Sequence, residues 1–465
     1  MPSGADPSVP PGSGAVFARR ARLPQGWVHD ACVRYAAERI VAVRTEAPAP
    51  PDAVRVDTLL PALGNLHSHA FQRAMAGMTE HRRAGQDSFW TWRTLMYAFV
   101  ERLSPEQVEA VAAQVFLEML EAGYAAVGEF HYLHHQPDGT PYADIAETAG
   151  RIAAAAAETG IGLTLLPVLY SHGGAAREPV SGGQRRFFNT PDRFAKLVEA
   201  SKAMLSDLPD DTVVGIAPHS LRATDPEDLT ETVAAHPHGP IHIHIAEQTR
   251  EVEQIEAWLG ARPVTWLLAN QPIDSRWCLV HATHMTPEET EAAARSGAVA
   301  GLCPITEANL GDGIFDGPRY LAAGGAFGIG SDSNVRIALG EELRMLEYSQ
   351  RLRDRARNVL VPQDGSVGET LYLGAAAGSA RALGRDAGAI AEGCLADLVA
   401  LDGSDPALVA LTDGQVLDGL CFAAGDRIVT DVWSAGRHVI SDGRHPKRDA
   451  IRARYGRAVA ELISG

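Results

Sequence analysis

Apolar positions along the chain fall into three zones. From Ala15 to about Val56 they come in short runs: Ala15-Val-Phe, Trp27-Val-His, Ala31-Cys-Val-Arg-Tyr and Arg39-Ile-Val-Ala-Val, with turn chemistry such as Leu23-Pro-Gln-Gly between them. Short β-branched runs bounded by Pro and Gly predict small strands. The far end repeats the pattern in Ala396-Asp-Leu-Val-Ala-Leu-Asp402, Asp426 to Trp433 and His438-Val-Ile-Ser-Asp442. The middle alternates between helical and strand periods. Residues 105–124 read as a helix with Ser104 as its cap and Pro at the first position. Helical patterns recur over 142–160, 191–206, 226–235, within 250–270, over 287–296 and around Tyr320. Strand-like runs fall between them at 125–130, 161–169, 212–217, 241–245, 277–280, 298–302 and 326–329. With the opening run 56–63, broken by Pro61, that makes eight units. Eight βα units over roughly 270 residues predict an α/β fold, a closed (β/α)8 barrel of TIM type. The expected organisation is a disordered tail over 1–14, a small β-sandwich domain built from 15–60 and 385–465, and a barrel over 61–384.

Composition narrows the function classes. Of the 465 residues, 46% are hydrophobic and 21% charged, which suits a globular protein with a large core. A net charge of −17 argues against nucleic acid or an anionic membrane as partner. Five scattered cysteines without a Cys-x-x-Cys pattern point to a reducing, cytoplasmic setting. The expected partners are a small-molecule substrate and a second copy of the chain, as a homodimer.

A barrel carries its chemistry at the carboxyl ends of its strands, so the residues there decide the reading. Strand one leads into His67-Ser-His69, strand two into Glu129, His131 and Tyr132, and strand four into His219 with Arg222 close behind. Strand five ends in His244-Ile-Ala-Glu247, strand six in His281 and strand eight in Asp332. A single histidine at a strand end is more often structural than a ligand. This many at one rim predict a metal centre.

The same residues resemble the amidohydrolase superfamily, whose metal and catalytic positions look matched by His67, His69, His244, His281 and Asp332. A narrower resemblance rests on 65–77 (Asn-Leu-His-Ser-His-Ala-Phe-Gln-Arg-Ala-Met-Ala-Gly), Glu129-Phe-His-Tyr132, Gln184-Arg-Arg-Phe187, His242-Ile-His-Ile-Ala-Glu-Gln248, Cys303-Pro-Ile-Thr-Glu-Ala-Asn309 and Gly330-Ser-Asp-Ser-Asn334. It covers nearly the full chain. It is similar to the branch that hydrolytically deaminates N-formimidoyl-L-glutamate in histidine degradation, and it implies that activity.

The chemistry can be assembled from the residues as well. His67, His69, His244 and Asp332 offer one divalent ion mixed N/O ligation, most simply Zn2+, with a position left for water. Two-metal members of the superfamily usually bridge their ions with a carbamylated lysine. The three lysines here, Lys196, Lys202 and Lys447, fall at no strand end, so one ion is expected. Asp332 would take the water's proton, His281 would hold the attacking oxygen, and Glu247 would carry a proton to the leaving nitrogen. A substrate with two carboxylates calls for arginine, with Arg222 the first candidate and Arg93 the second. By resemblance Gln72, Tyr132 and His219 also line the substrate. The loop 172–188 is either a lid or an ordinary crossover. A nucleobase or triazine-type aminohydrolase is the nearer alternative and predicts an aromatic, acidic pocket. A barrel kept as a non-enzymatic assembly module is the more distant one.

Overall fold

The computed structural model describes residues 13–81 and 89–464. The tail expected over 1–14 lies outside the described residues through position 12, and Gly14 already opens a strand. The N-terminal strands are β1 (Gly14–Leu23), β2 (Gly26–Ala36), β3 (Arg39–Arg44) and β4 (Val54–Pro61). The barrel follows with β5 (Leu63–Ser68), β6 (Tyr124–His131), β7 (Gly162–Leu169), β8 (Val213–Val214), β9 (Ala217–Pro218), β10 (Ile241–Ile245), β11 (Trp277–His281), β12 (Val299–Leu302) and β13 (Ala326–Ile329). The chain returns to the first sheet in β14 (Leu398–Leu401), β15 (Val429–Ser434) and β16 (Arg437–Ile440).

Strands from both termini make one seven-stranded sheet in the order β16-β15-β14-β4-β1-β2-β3. Val16, Val33, Leu59, Leu398 and the fully buried Trp433 form its core. The apolar run 56–63, expected as the first barrel strand, is shared between two sheets. Its residues up to Pro61 pair with β1 and β14, and β5 starts the barrel at Leu63. At the joint, Ala62 N donates to Asp397 O at 3.0 Å. An unbroken apolar pattern cannot show where one sheet hands over to the next.

The barrel strands pair in parallel as β5-β6-β7-β8, with β9 also on β7, and as β10-β11-β12-β13. Bridges Ile216–Ile241 and Ser220–His244 join these runs on one side, and Ser68–Asp332 closes the other. Leu66, Ala126, Val280, Val299 and Leu383 pack inside the barrel. Ser104 caps the helix Pro105–Glu121 as expected, in a reciprocal box with Gln107. Helices Phe89–Val100, Leu339–Asp354, Val367–Ala382, Val416–Phe422 and Arg448–Ser464 add to those anticipated. The last of these lies within the 385–465 segment and docks on the barrel, with Ile451, Ala458 and Leu462 buried and Arg102 donating to Leu462 O.

Candidate metal and substrate site

The rim where β5 meets β13 assembles the centre. Asp332 N donates to His67 O and His69 N to Asp332 O, both at 2.9 Å. Glycine is required at 330, because a Cβ there would stand 2.7 Å from the backbone N and O of His67. Asn65 bonds Ser331 through both ends of its amide, at 2.6 and 3.1 Å. Asn334 Nδ2 donates to Ser68 Oγ, His69 O and Asp332 O, each at 3.1 Å. The two motifs therefore lock each other, and Asp332 is held in a left-handed conformation (φ 45°) that the network sustains.

Around this joint the ligand atoms of His67, His69, His244 and Asp332, all buried, lie within 4.8 Å of one another. His67 Nε2 is 3.1 Å from His244 Nε2, and the Asp332 carboxylate is 3.5 Å from His67 Nε2 and 3.3 Å from His69 Nε2. A carbonyl oxygen can only accept, so His69 Nδ1–H donates to Phe130 O (3.0 Å) and His244 Nδ1–H to His219 O (3.1 Å). Each ring thereby turns an Nε2 lone pair to the cluster, as a metal-ligating histidine does. Burial pushes His67 down to about 3 and lowers His69 and His244, which keeps the imidazoles neutral. Burial opposes ionisation of Asp332, but its hydrogen bond to His67 and the nearby His69 and His281 hold it below the usual carboxylate range. Three neutral imidazoles and a carboxylate form the donor set of catalytic zinc, so these residues fit a divalent ion. His242, although on the same strand face as His244, is committed elsewhere, with its Nε2 2.7 Å from Ala382 O.

His281 Nε2 lies 4.0 Å from Glu247 Oε1 and 3.9 Å from Asp332 Oδ2, and its Nδ1 is 3.2 Å from Glu307 Oε1. Burial disfavours the imidazolium, but Glu247, Glu307 and Asp332 outweigh it and raise His281 to about 10. A cation held by the cluster would bring it down again. Burial also raises Glu247, against the opposing charges of His281 and Arg222.

Above the cluster opens a pocket. It is lined by His69, His244, Glu247, His281 and Asp332, and also by Gln72, Arg93, Tyr132, His219 and Arg222. Of the residues expected to hold metal, substrate or a catalytic proton, His67 alone lies behind this lining. Gln72 Nε2 donates to Tyr132 OH at 2.9 Å, and its Oε1 is a buried acceptor with no hydrogen-bond partner among the described residues. Arg222 is shared with Glu247 (3.4 Å) and Glu251 (3.7 Å). Arg93 differs: it donates to Tyr97 OH (2.6 Å) and Tyr170 OH (3.0 Å) and pairs with no carboxylate among the described residues. Trp90 gathers three guanidinium groups, those of Arg93, Arg222 and the exposed Arg250, at 5.7, 6.0 and 4.6 Å from its ring.

Sequence reasoning missed Glu307 and Glu251, together with the walls Phe89, Trp92, Tyr97, Tyr170 and Phe187. The motifs 184–187 and 303–309 contained Phe187 and Glu307 without revealing their contacts. Glu129, by contrast, stays outside the pocket. One of its oxygens takes Ala70 N at 2.8 Å, and burial raises it to about 8. The loop 172–188 contributes Phe187 to the pocket lining and is tied to its surroundings at residues 184 and 186. The fully buried Arg186 bonds Leu103 O (2.9 Å) and His135 O (2.8 Å), and Gln184 Nε2 bonds Tyr170 OH and Gly173 O.

Residues 58–439 match the amidohydrolase family. The chain belongs to that family. Within it, the chain is 51% identical over 452 residues to a formimidoylglutamate deiminase of Pseudomonas aeruginosa, covering 97% of this chain and 99% of the relative. A crystal structure of an amidohydrolase from Brucella melitensis superposes with a TM-score of 0.93 at 50% identity, over 97% of this chain and all (100%) of that one. A zinc-bound adenosine deaminase from Xanthomonas campestris superposes at 0.80 with 22% identity, over 97% and 98% of the two chains. At that identity the likeness extends to the fold. As a member of the family, the chain is a metal-dependent hydrolase of C–N bonds.

Proposed function

We propose that the chain hydrolyses N-formimidoyl-L-glutamate to N-formyl-L-glutamate and ammonia, a step of histidine degradation. The observation that carries this reading is Arg93, a pocket guanidinium with two tyrosine hydroxyls and, among the described residues, no carboxylate for company. Such a charge asks for an anion, and a glutamate moiety brings two carboxylates. The relative at 51% identity supports the same substrate.

One divalent ion, proposed to be zinc, would be held by His67, His69, His244 and Asp332. When bound, it lowers the pKa of a water toward neutrality. Asp332 turns Oδ1 to the imidazoles and Oδ2 toward His281, so Oδ2 is the oxygen proposed to take the water's proton. His281, its Nδ1–H held by Glu307, donates Nε2–H to the attacking oxygen in the imidazolium form that Glu247, Glu307 and Asp332 favour. Glu247, whose burial favours the protonated form, delivers one proton to the imino nitrogen as the carbon is attacked; Asp332 then passes on the proton it took from the water, the nitrogen departs as ammonia, and the hydroxyl proton of the collapsing intermediate returns to Glu247. Gln72 Oε1 accepts from the formimidoyl N–H, Tyr132 and His219 wall the chain of the substrate, and Arg93 and Arg222 hold its carboxylates.

Ammonia release from N-formimidoyl-L-glutamate, compared with guanine and cytosine, tests the reading. Activity on a heterocycle and on neither N-formimidoyl-L-glutamate nor N-formimidoyl-L-aspartate would overturn it in favour of a nucleobase or triazine-type aminohydrolase. The aromatic side chains Trp92, Tyr132 and Phe187 suit that alternative, but a neutral ring brings no anion to Arg93. Arg93→Met is the cleaner probe of the two arginines, because Arg222 also touches Glu247. It should raise KM and lower kcat/KM roughly 10- to 150-fold, the worth of a charge-assisted bond, with the metal retained. N-formimidoyl-L-aspartate, one methylene shorter, should be the poorer substrate because it cannot span the cluster and the clamp together. The protein is proposed to act in the cytoplasm as a homodimer. Five unpaired cysteines support the first, and sedimentation equilibrium checks the second.

A further inference from the structure

We propose that Glu307 is a positioning residue for the reaction: it fixes the orientation of His281 and is itself reachable from a second cavity behind the site. The inference rests on the reading of His281 given above.

Glu307 Oε1 accepts from Cys303 N at 2.9 Å and lies 3.2 Å from His281 Nδ1. An oxygen already facing an N–H in this way is an acceptor, so His281 donates its Nδ1 proton to it. The opposite edge of the ring, Nε2, is then the edge presented to Glu247 and Asp332. Both partners are buried, and the carboxylate rides on the short helix Pro304–Leu310 that follows β12. The backbone on the other side is bent to match. His281 and Ala282 have φ of 66° and 49°, two successive residues in the left-handed region at the end of β11. Conformations of this kind persist where surrounding contacts over-determine them. The Glu307 bond is such a contact, because it pins the ring that the bend aims.

Behind the pair, Glu307 also lines a second, solvent-open pocket distinct from the substrate pocket, together with Pro304, Ala308, Gly311, Ile314 and Met345. Ala308, Gly311 and Ile314 are exposed, so this cavity opens to solvent. His281 lines the substrate pocket and Glu307 the rear cavity; the hydrogen-bonded pair is the partition between them. A small carboxylate from solvent can therefore reach the place that the Glu307 side chain fills.

The test uses the zinc-loaded full chain and two variants. Glu307→Ala should keep its metal and lose about 10- to 100-fold in kcat with little change in KM, as expected when the partner that orients a site histidine is removed. Added formate should restore kcat saturably in Glu307→Ala and leave wild type unaffected. Glu307→Gln, which retains an acceptor oxygen, should lose less. In 15N-histidine-labelled protein the His281 Nδ1–H resonance should be present in wild type, shifted in Glu307→Gln and lost in Glu307→Ala. A kcat within about twofold of wild type for Glu307→Ala would overturn the proposal. So would a loss that formate does not touch, or a His281 resonance indifferent to both variants. Should Glu307→Ala fail to fold, Glu307→Gln and its resonance decide. The resonance needs no substrate, so a wild type that releases no ammonia overturns the deiminase reading while the status of Glu307 is still decided.

Discussion

Glu247→Gln protein should bind its metal normally and release ammonia roughly 10²-fold more slowly, or slower still, which is the loss expected when a proton carrier is removed from the transition state. The size follows from where the residue stands. Glu247 is buried beside His281 and Arg222, contributes nothing to the ligand cluster, and is raised by burial, which favours its protonated form. An amide of the same shape keeps the packing and the contact with Arg222 but can neither take nor give that proton. The loss should fall on kcat and kcat/KM together, because the interaction exists in the transition state alone. Metal analysis of the variant separates this outcome from damage to the centre. A Glu247→Gln enzyme that turned over at the wild-type rate would remove Glu247 from the mechanism.

Stripping the ion should abolish ammonia release and also lower thermal stability. The cluster places Asp332 and three imidazoles together in a buried space, where a cation satisfies all four at once. An ion bound about a thousandfold more tightly than its free concentration requires would stabilise the native state by about 4 kcal/mol. Chelation should therefore depress the unfolding temperature, and readdition should restore activity at about one equivalent of zinc. The stoichiometry follows from the lysines. Lys196 and Lys202 sit on the helix Pro191–Met204, and Lys447 donates to Glu158 O, so none reaches the barrel rim to bridge two ions. Restoration that needs two equivalents would overturn the single-ion proposal. Asp332→Asn and His244→Ala should weaken metal binding as well as turnover, which Glu247→Gln should not.

Much of this was legible in the linear order of residues. Alternating helical and strand periods determined the (β/α)8 barrel, because each period reports which face of one element is buried, a property local to that element. The positions of His67, His69, His244, His281 and Asp332 at strand ends determined a metal centre, since a barrel delivers every such end to one rim. What remained hidden depends on pairing across the chain. The run 56–63 divides between two sheets because Leu59 and Leu60 meet β14, and Asp397 O accepts from Ala62 N, more than three hundred residues away in sequence. The helix Arg448–Ser464 has readable apolar spacing at Ile451, Tyr455, Ala458 and Leu462, but its docking on the barrel is a tertiary fact. Similarly, Glu307 is one acid among 58 Asp and Glu residues until the fold sets it against His281. The sequence puts Arg222 ahead of Arg93 as a carboxylate clamp, and the fold alone gives Arg222 two glutamates while pairing Arg93 with no carboxylate among the described residues. Periodicity encodes burial within an element; which charge meets which is decided only when distant elements pack, and that pairing is what turned a metal-binding barrel into a site with a place for an anionic substrate.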